Sequence, residues 1–124
     1  MPVTEFAVAE AGAGPYGITT GPDGALWFTL NRAGAIGRIT TGGEITTFPL
    51  PTEDAGPVGI TAGPDGACWF TEWGANRVGR IDVEGRIGTT PLPTPGSEPH
   101  GITTGPDGAL WIALETGALA RLEP

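Results

Sequence analysis

The apolar positions of this chain fall in short extended runs that glycine and proline interrupt at a fixed interval. Gly17-Ile18-Thr19-Thr20 and Ala25-Leu26-Trp27-Phe28-Thr29 are β-rich, and Gly21-Pro22-Asp23-Gly24 between them places proline and glycine where a tight turn needs them. Two more extended runs, 35–41 and 44–50, meet across Gly42-Gly43. The phrase Pro-x-Gly-Ile-Thr-x-Gly-Pro-Asp-Gly-Ala-x-Trp begins at Pro15, Pro57 and Pro99, so successive starts lie 42 residues apart. No stretch combines helical periodicity with capping residues. Four short antiparallel strands in roughly 40 to 45 residues is the size of one β-propeller blade. Helical repeats of that length could not hold the 22 glycines and 13 prolines. The expected fold is all-β, with three four-stranded propeller blades over residues 15–56, 57–98 and 99–124.

The third copy lacks its final quarter. That quarter lies at the other end of the chain, because Val3, Phe6 and Val8 fall in register with Ile45, Phe48 and Leu50. Residues 3–8 are therefore expected to complete the third blade as its fourth strand. Propellers usually need about 4 to 8 blades, so three cannot close alone, and an open arc exposes two blade faces and a strand edge. Homo-oligomerisation is the expected remedy. A homodimer gives a six-bladed ring with residues 3–8 pairing in trans; a homotrimer would give nine blades, outside the usual range.

Recurrence alone identifies several positions as structural. Asp23, Asp65 and Asp107 could be read as calcium ligands, but aspartate in a proline-glycine turn is accounted for by its own local hydrogen bonds. Trp27, Trp69 and Trp111 sit at one mid-strand position and are expected to pack between blades. Cys68 stands where Leu26 and Leu110 stand, as a small buried hydrophobe.

The formal net charge of -8, from 14 acidic residues against six arginines and no lysine, argues against a nucleic-acid partner. Residues 1–14 lack the pattern of a signal peptide, and no apolar run approaches the ~20 residues that cross a bilayer. No membrane partner is expected. One cysteine forms no internal disulfide, which is compatible with the cytoplasm.

Ionisable residues present in only one repeat are the better place to seek chemistry. Glu98 and His100 flank Pro99, where the first repeat has Gly14 and Tyr16 and the second has Gly56 and Val58. His100 is the only histidine. Glu115 follows the second strand of the third repeat, in a loop one residue shorter than its counterparts. Residues before the first strand and after the antiparallel second strand share one end of a blade, so these three gather near the mouth of the central channel. Two carboxylates suit a hard cation such as Mg²⁺, and the imidazole suits a general base. The plainer alternative is two solvated loop acids beside a channel-lining histidine. Glu72-Trp73, in the corresponding loop of the second repeat, is either a substrate wall or rim packing.

Trp69-Phe70-Thr71-Glu72-Trp73-Gly74-Ala75-Asn76-Arg77, together with Glu98-Pro99-His100-Gly101-Ile102, Trp111 and Glu115, resembles the streptogramin B lyases, also called virginiamycin B lyases. The resemblance covers essentially the whole chain. It implies part of a seven-bladed, magnesium-dependent propeller that opens a cyclic depsipeptide by elimination across its ester bond, without adding water. It also implies Glu98 and Glu115 as Mg²⁺ ligands, His100 as the base and the place of Val58 as substrate-facing; Tyr16, Glu72 and Trp73 are further candidate substrate-binding positions. Val58 departs from the family, whose members have a second histidine there. Three blades are less than half of seven. Activity is accordingly expected to be weak or lost, and the competing expectation is a noncatalytic, self-assembling propeller scaffold.

Overall fold

A computed structural model describes residues 1–8, 11–52 and 54–124. The first sheet holds β1 (Pro15–Thr20), β2 (Leu26–Leu30), β3 (Ala35–Ile39) and β4 (Ile45–Pro49). The second holds β5 (Pro57–Ala62), β6 (Ala67–Glu72), β7 (Arg77–Asp82) and β8 (Ile87–Pro91). The third has only β9 (Pro99–Thr104), β10 (Leu110–Leu114) and β11 (Ala118–Leu122). Strands within each sheet are antiparallel neighbours in chain order, as in propeller blades. Among the described residues no helix is long and apolar enough to cross a membrane.

One three-residue device closes each inner hairpin. In the first turn, Asp23 Oδ1 accepts the Ala25 N–H at 3.2 Å and the Trp27 indole N–H at 3.0 Å, while Oδ2 accepts from Arg38 Nε at 2.9 Å. Asp65 with Trp69 and Arg80, and Asp107 with Trp111 and Arg121, repeat it. Each guanidinium also lies 5.9 Å from the centroid of its tryptophan ring. The recurring aspartates thus serve turn, tryptophan and arginine together. This fixes the tryptophan edge-on to its own turn and leaves its faces for arginine and the next blade.

The core lies between blades. Trp27 and Ile36 of the first sheet pack with Ile60, Cys68, Phe70 and Ile81 of the second. Trp69 and Val78 pack in the same way with Leu110 and Ile112. Burial of Cys68 and the nearby Asp23 and Asp65 charges push its thiol up to about 12, so it behaves as the expected buried apolar side chain. Inner strand β1 lies beside β5, and β5 beside β9. A Cβ on Gly17 would sit 2.5 Å from the Val58 carbonyl oxygen, and one on Gly59 would meet the His100 carbonyl in the same way. Only glycine permits this approach.

The approach is bridged by a hydroxyl. Thr29 Oγ1 accepts the Gly17 N–H at 2.9 Å and donates to Val58 O at 2.8 Å. Thr71 Oγ1 accepts from Gly59 at 3.0 Å and donates to His100 O at 2.7 Å. Each threonine is fully buried. Removing the Thr71 hydroxyl strands a donor and an acceptor, so Thr71→Val is expected to lower the unfolding free energy by about 1 to 3 kcal/mol. Urea denaturation with an unchanged m-value is the check; a change under about 0.5 kcal/mol would show that the hydroxyl does not couple the blades.

The turns also predict an acid limb. Hydrogen bonds from Trp111, the Ala109 N–H and Arg121 hold the Asp107 carboxyl at about 2, against an ordinary 3.8. A depressed carboxylate contributes stability above its unfolded value and loses it as pH falls through the folded one. The melting temperature should therefore drop as pH falls from about 4 toward 2. Asp107→Asn keeps an acceptor for Trp111 but removes the titration, and should make that drop shallower in pH-dependent thermal melts.

Candidate active site

Each inner strand carries a bulge at the same place. The ladder slips between Pro15 and Ile18, between Pro57 and Ile60, and, opposite Ile112 and Leu114, between Pro99 and Ile102. A bulge re-aims the side chain it carries. The three bulged side-chain positions are Tyr16, Val58 and His100, at the end of the blades where the β2–β3, β6–β7 and β10–β11 loops also lie.

At the third blade the structure brings His100 and Glu115 together, with Nε2 3.7 Å from Oε1. Their side chains are 38% and 51% exposed, so a ligand can reach both. Tyr16 spans the mouth from the first blade, placing its hydroxyl 3.5 Å from His100 Nε2 and its ring edge-on to the imidazole at 5.7 Å. When that hydroxyl donates to Nε2, the neutral ring carries its proton on Nδ1, and the Nε2 lone pair is open to a substrate only once the hydroxyl turns away. Glu98 joins the group through the main chain, since its carbonyl accepts the Glu115 N–H at 3.1 Å. Gly14 and Gly56 receive the equivalent bonds from Asn31 and Trp73. Among the described residues no three His, Cys, Asp or Glu side chains converge as a ready-made metal cage.

Glu98 is out of place conformationally. Its φ is +56°, in the left-handed region, where Gly14 and Gly56 have φ of +73° and +58°. That backbone costs a side chain about 1 to 2 kcal/mol. Asn76, also left-handed at φ +56°, recovers the cost by bonding Thr94 O at 2.9 Å and accepting from the Ser97 N–H at 3.0 Å. Glu98 has no comparable side-chain bond among the described residues. A carboxylate held at local expense where two repeats use glycine points to work for that carboxylate.

The remaining expected positions divide. Trp73 is 48% exposed and sits at the same mouth. Glu72 beside it does not line an open surface: it is fully buried, with Oε1 2.5 Å from Arg77 Nε and Oε2 without a partner among the described residues. Arg77 in turn bonds the Thr52 hydroxyl. Burial pushes the Glu72 carboxyl up and Arg77 opposes it. Val58 is also buried. Sequence reasoning passed over Thr29 and Thr71, whose hydroxyls fix the backbone at Val58 and His100. Their signal is a Thr, Thr, Ala series at 29, 71 and 113, which ordinary strand preference conceals.

The sequence profile of the virginiamycin B lyase family matches residues 3–122. The chain belongs to that family. A virginiamycin B lyase of Saccharopolyspora erythraea is 62% identical over 45 residues, which are 36% of this chain and 15% of the relative. The crystal structure of virginiamycin B lyase from Staphylococcus aureus superposes with a TM-score of 0.89 at 40% identity, covering 98% of this chain and 45% of that one. A catalytically inactive histidine-to-alanine variant of the Staphylococcus aureus enzyme, with quinupristin, superposes with a TM-score of 0.88 at 41% identity, over 97% of this chain and 44% of its own. This member of the lyase family thus spans less than half the length of the solved lyase chains it matches.

If Glu98 is strained, Glu98→Gly should raise the unfolding free energy by up to about 1 kcal/mol, the relief of the left-handed backbone being partly offset by the freer unfolded chain. Urea denaturation reads this directly. A loss of stability would show instead that the Glu98 carboxylate holds the fold together.

Proposed function

We propose that this mouth is a lyase site of the family's kind, in which His100 removes a proton and the ester oxygen departs with the electron pair of the broken C–O bond. The observation that carries the reading is the pairing of the accessible His100 Nε2 with Glu115, in the one blade that also replaces glycine by the strained Glu98. The C–H electron pair left by proton removal becomes the new double bond, so the ring opens with no water added. A positioned general base of this kind contributes roughly 10²- to 10⁴-fold. Tyr16 orients the imidazole, and Trp73 offers an apolar wall to a large ligand.

Glu98 and Glu115 fit Mg²⁺ by donor type: it is held by one or two carboxylates and retains several waters. Bound there, Mg²⁺ would supply a Lewis acid for the developing negative charge of the leaving carboxylate. The inactive histidine variant among the relatives supports assigning the base to the only histidine of this chain.

The reading includes ring closure by a second copy, six blades in all. Phe6 lies against Gly43 of the first blade as Phe48 lies against Gly85 of the second, which supports residues 3–8 as a fourth strand for a preceding blade, although they pair with no strand in the single chain. Such a ring would present two mouths to a cyclic depsipeptide. A noncatalytic scaffold is the second reading, favoured by the buried, apolar Val58 where a polar substrate contact would orient the ester.

With quinupristin and Mg²⁺, the expected outcome is slow formation of an isomer of unchanged mass, followed by liquid chromatography and mass spectrometry. Val58→His should increase the rate, and His100→Ala in that background should abolish it. Mg²⁺ should raise the melting temperature of the wild type modestly and have no effect on Glu115→Ala. A product one water heavier would replace elimination by hydrolysis. No product from either active-site version, with the Mg²⁺ response intact, would make the protein a scaffold.

A further inference from the structure

The middle blade, flanked on both sides within the chain, carries one cross-strand pair that its neighbours do not. Leu30 faces Ala35 across β2 and β3, and Leu114 faces Ala118 across β10 and β11. At the same place between β6 and β7, Glu72 faces Arg77. Both leucines pack into apolar clusters, so a blade ordinarily fills this position with hydrocarbon. The two members of the pair differ from the other repeats together, and the carboxylate is fully buried. Taking two charges out of water is costly, and apolar residues of similar volume commonly serve as well or better. Blade stability therefore does not explain the pair, and its remaining contacts show what it holds.

Beyond its bond to Glu72, Arg77 reaches with Nη2 to the Thr52 hydroxyl. Thr52 lies at the start of the connector between β4 and β5, whose far end is tied to the residues directly after Glu72. The Trp73 N–H donates to Gly56 O at 3.1 Å, and the Gly74 N–H to Ala55 O at 2.9 Å. A Cβ on Gly74 would lie 2.0 Å from Asp54 O, so the two stretches run in direct contact. Between these anchors Asp54 keeps a left-handed φ of +58°, where Gly12 and Gly96 have +80° and +65°. A side chain makes that backbone costly, so a connector released at Thr52 has reason to relax. The backbone bond at Trp73 recurs in both other blades, but with alanine at positions 35 and 118 the guanidinium hook does not.

The contacts form a closed circuit. Glu72 fixes the arginine, the arginine fixes Thr52, and the connector returns to Trp73. That tryptophan is half-exposed and stands with Thr52, Asp54, Asn31 and Arg32 around an open groove of about 730 Å³ at the mouth end of the blades.

Resting on the reading of this mouth as a lyase site, we propose that Glu72 and Arg77 are a positioning pair, which holds the connector at Thr52 and thereby presets Trp73 as one wall of the groove for a large cyclic ligand. Neither side chain touches the ligand. They restrict the shapes the groove takes before a ligand arrives, and their loss weakens binding by disordering the wall.

Two variants test this in protein labelled with fluorotryptophan and followed by fluorine NMR. The four tryptophans give four resonances, and Trp73→Phe assigns the one in question. Thr52→Val removes the hook and leaves both buried charges paired. The double variant, Glu72→Leu with Arg77→Ala, installs the residues that the first and third blades carry. Both should shift or broaden the Trp73 resonance while those of Trp27 and Trp111 stay. Amide exchange at Trp73 and Gly74 should quicken about 5-fold, the equivalent of one hydrogen bond. Urea denaturation should find the double variant as stable as wild type or more so. Should it fail to fold, Thr52→Val decides alone. Quinupristin, titrated against the Trp73 resonance, should bind Thr52→Val about 5-fold more weakly than wild type. An unchanged Trp73 resonance with unchanged exchange in Thr52→Val would overturn the positioning role, and so would equal quinupristin affinity in the two proteins. If wild type itself binds no quinupristin, the lyase reading loses its substrate, and the resonance and exchange data judge the pair by themselves.

Discussion

Everything at the mouth depends on how closely one inner strand approaches the next, and that spacing is set by a buried threonine hydroxyl working at a bulge. The bulge frees a glycine N–H from its ladder, and a freed donor in a dry seam must be satisfied. Thr29 and Thr71 satisfy it and use the hydroxyl proton to hold the neighbouring strand by its carbonyl. Local hairpin geometry and blade-to-blade distance are thus one constraint rather than two. The carbonyl that Thr71 holds belongs to His100, so the histidine is located by its backbone before any side-chain contact is made.

On that scaffold the site is assembled from departures. Shared positions serve turns, core and seams, as the Asp-Trp-Arg groupings do three times over. His100 replaces an apolar or aromatic residue at a bulge, Glu98 replaces glycine at a left-handed turn, and Glu115 occupies the place of Asn31 and Trp73. None of the three is needed by the blade as a blade, since the other repeats manage without them. Their cost is local, and the regular parts of the structure carry it.

Much of this was legible in the sequence because propeller architecture is written in turns and periods. Gly-Pro-Asp-Gly and the repeating tryptophan located the hairpins, and the gathering of His100 with Glu115 followed from strand direction alone. What escaped reading were groups whose partners lie one blade away. Thr71 looks like any strand threonine until its neighbour's carbonyl is in place. Glu72 reads as a surface acid because nothing local reveals that Arg77 and the segment after β4 enclose it. Tyr16 and His100 are 84 residues apart, and their contact depends on the curvature of the arc. The left-handed backbone of Glu98, by contrast, could have been inferred from Gly14 and Gly56 at the same place.

Val58 gives the middle blade a character of its own. Buried on both faces and free of ionisable groups at its bulge, that blade contributes circumference, a wall through Trp73 and the Thr71 hold on the His100 carbonyl, but no proton-transfer group at the mouth. Girth and reactivity are therefore encoded in separate stretches of this chain. An added copy of such a unit would lengthen the arc of blades while leaving the number of imidazoles unchanged, so in a repeat architecture of this kind size can change without altering the residues at the third blade.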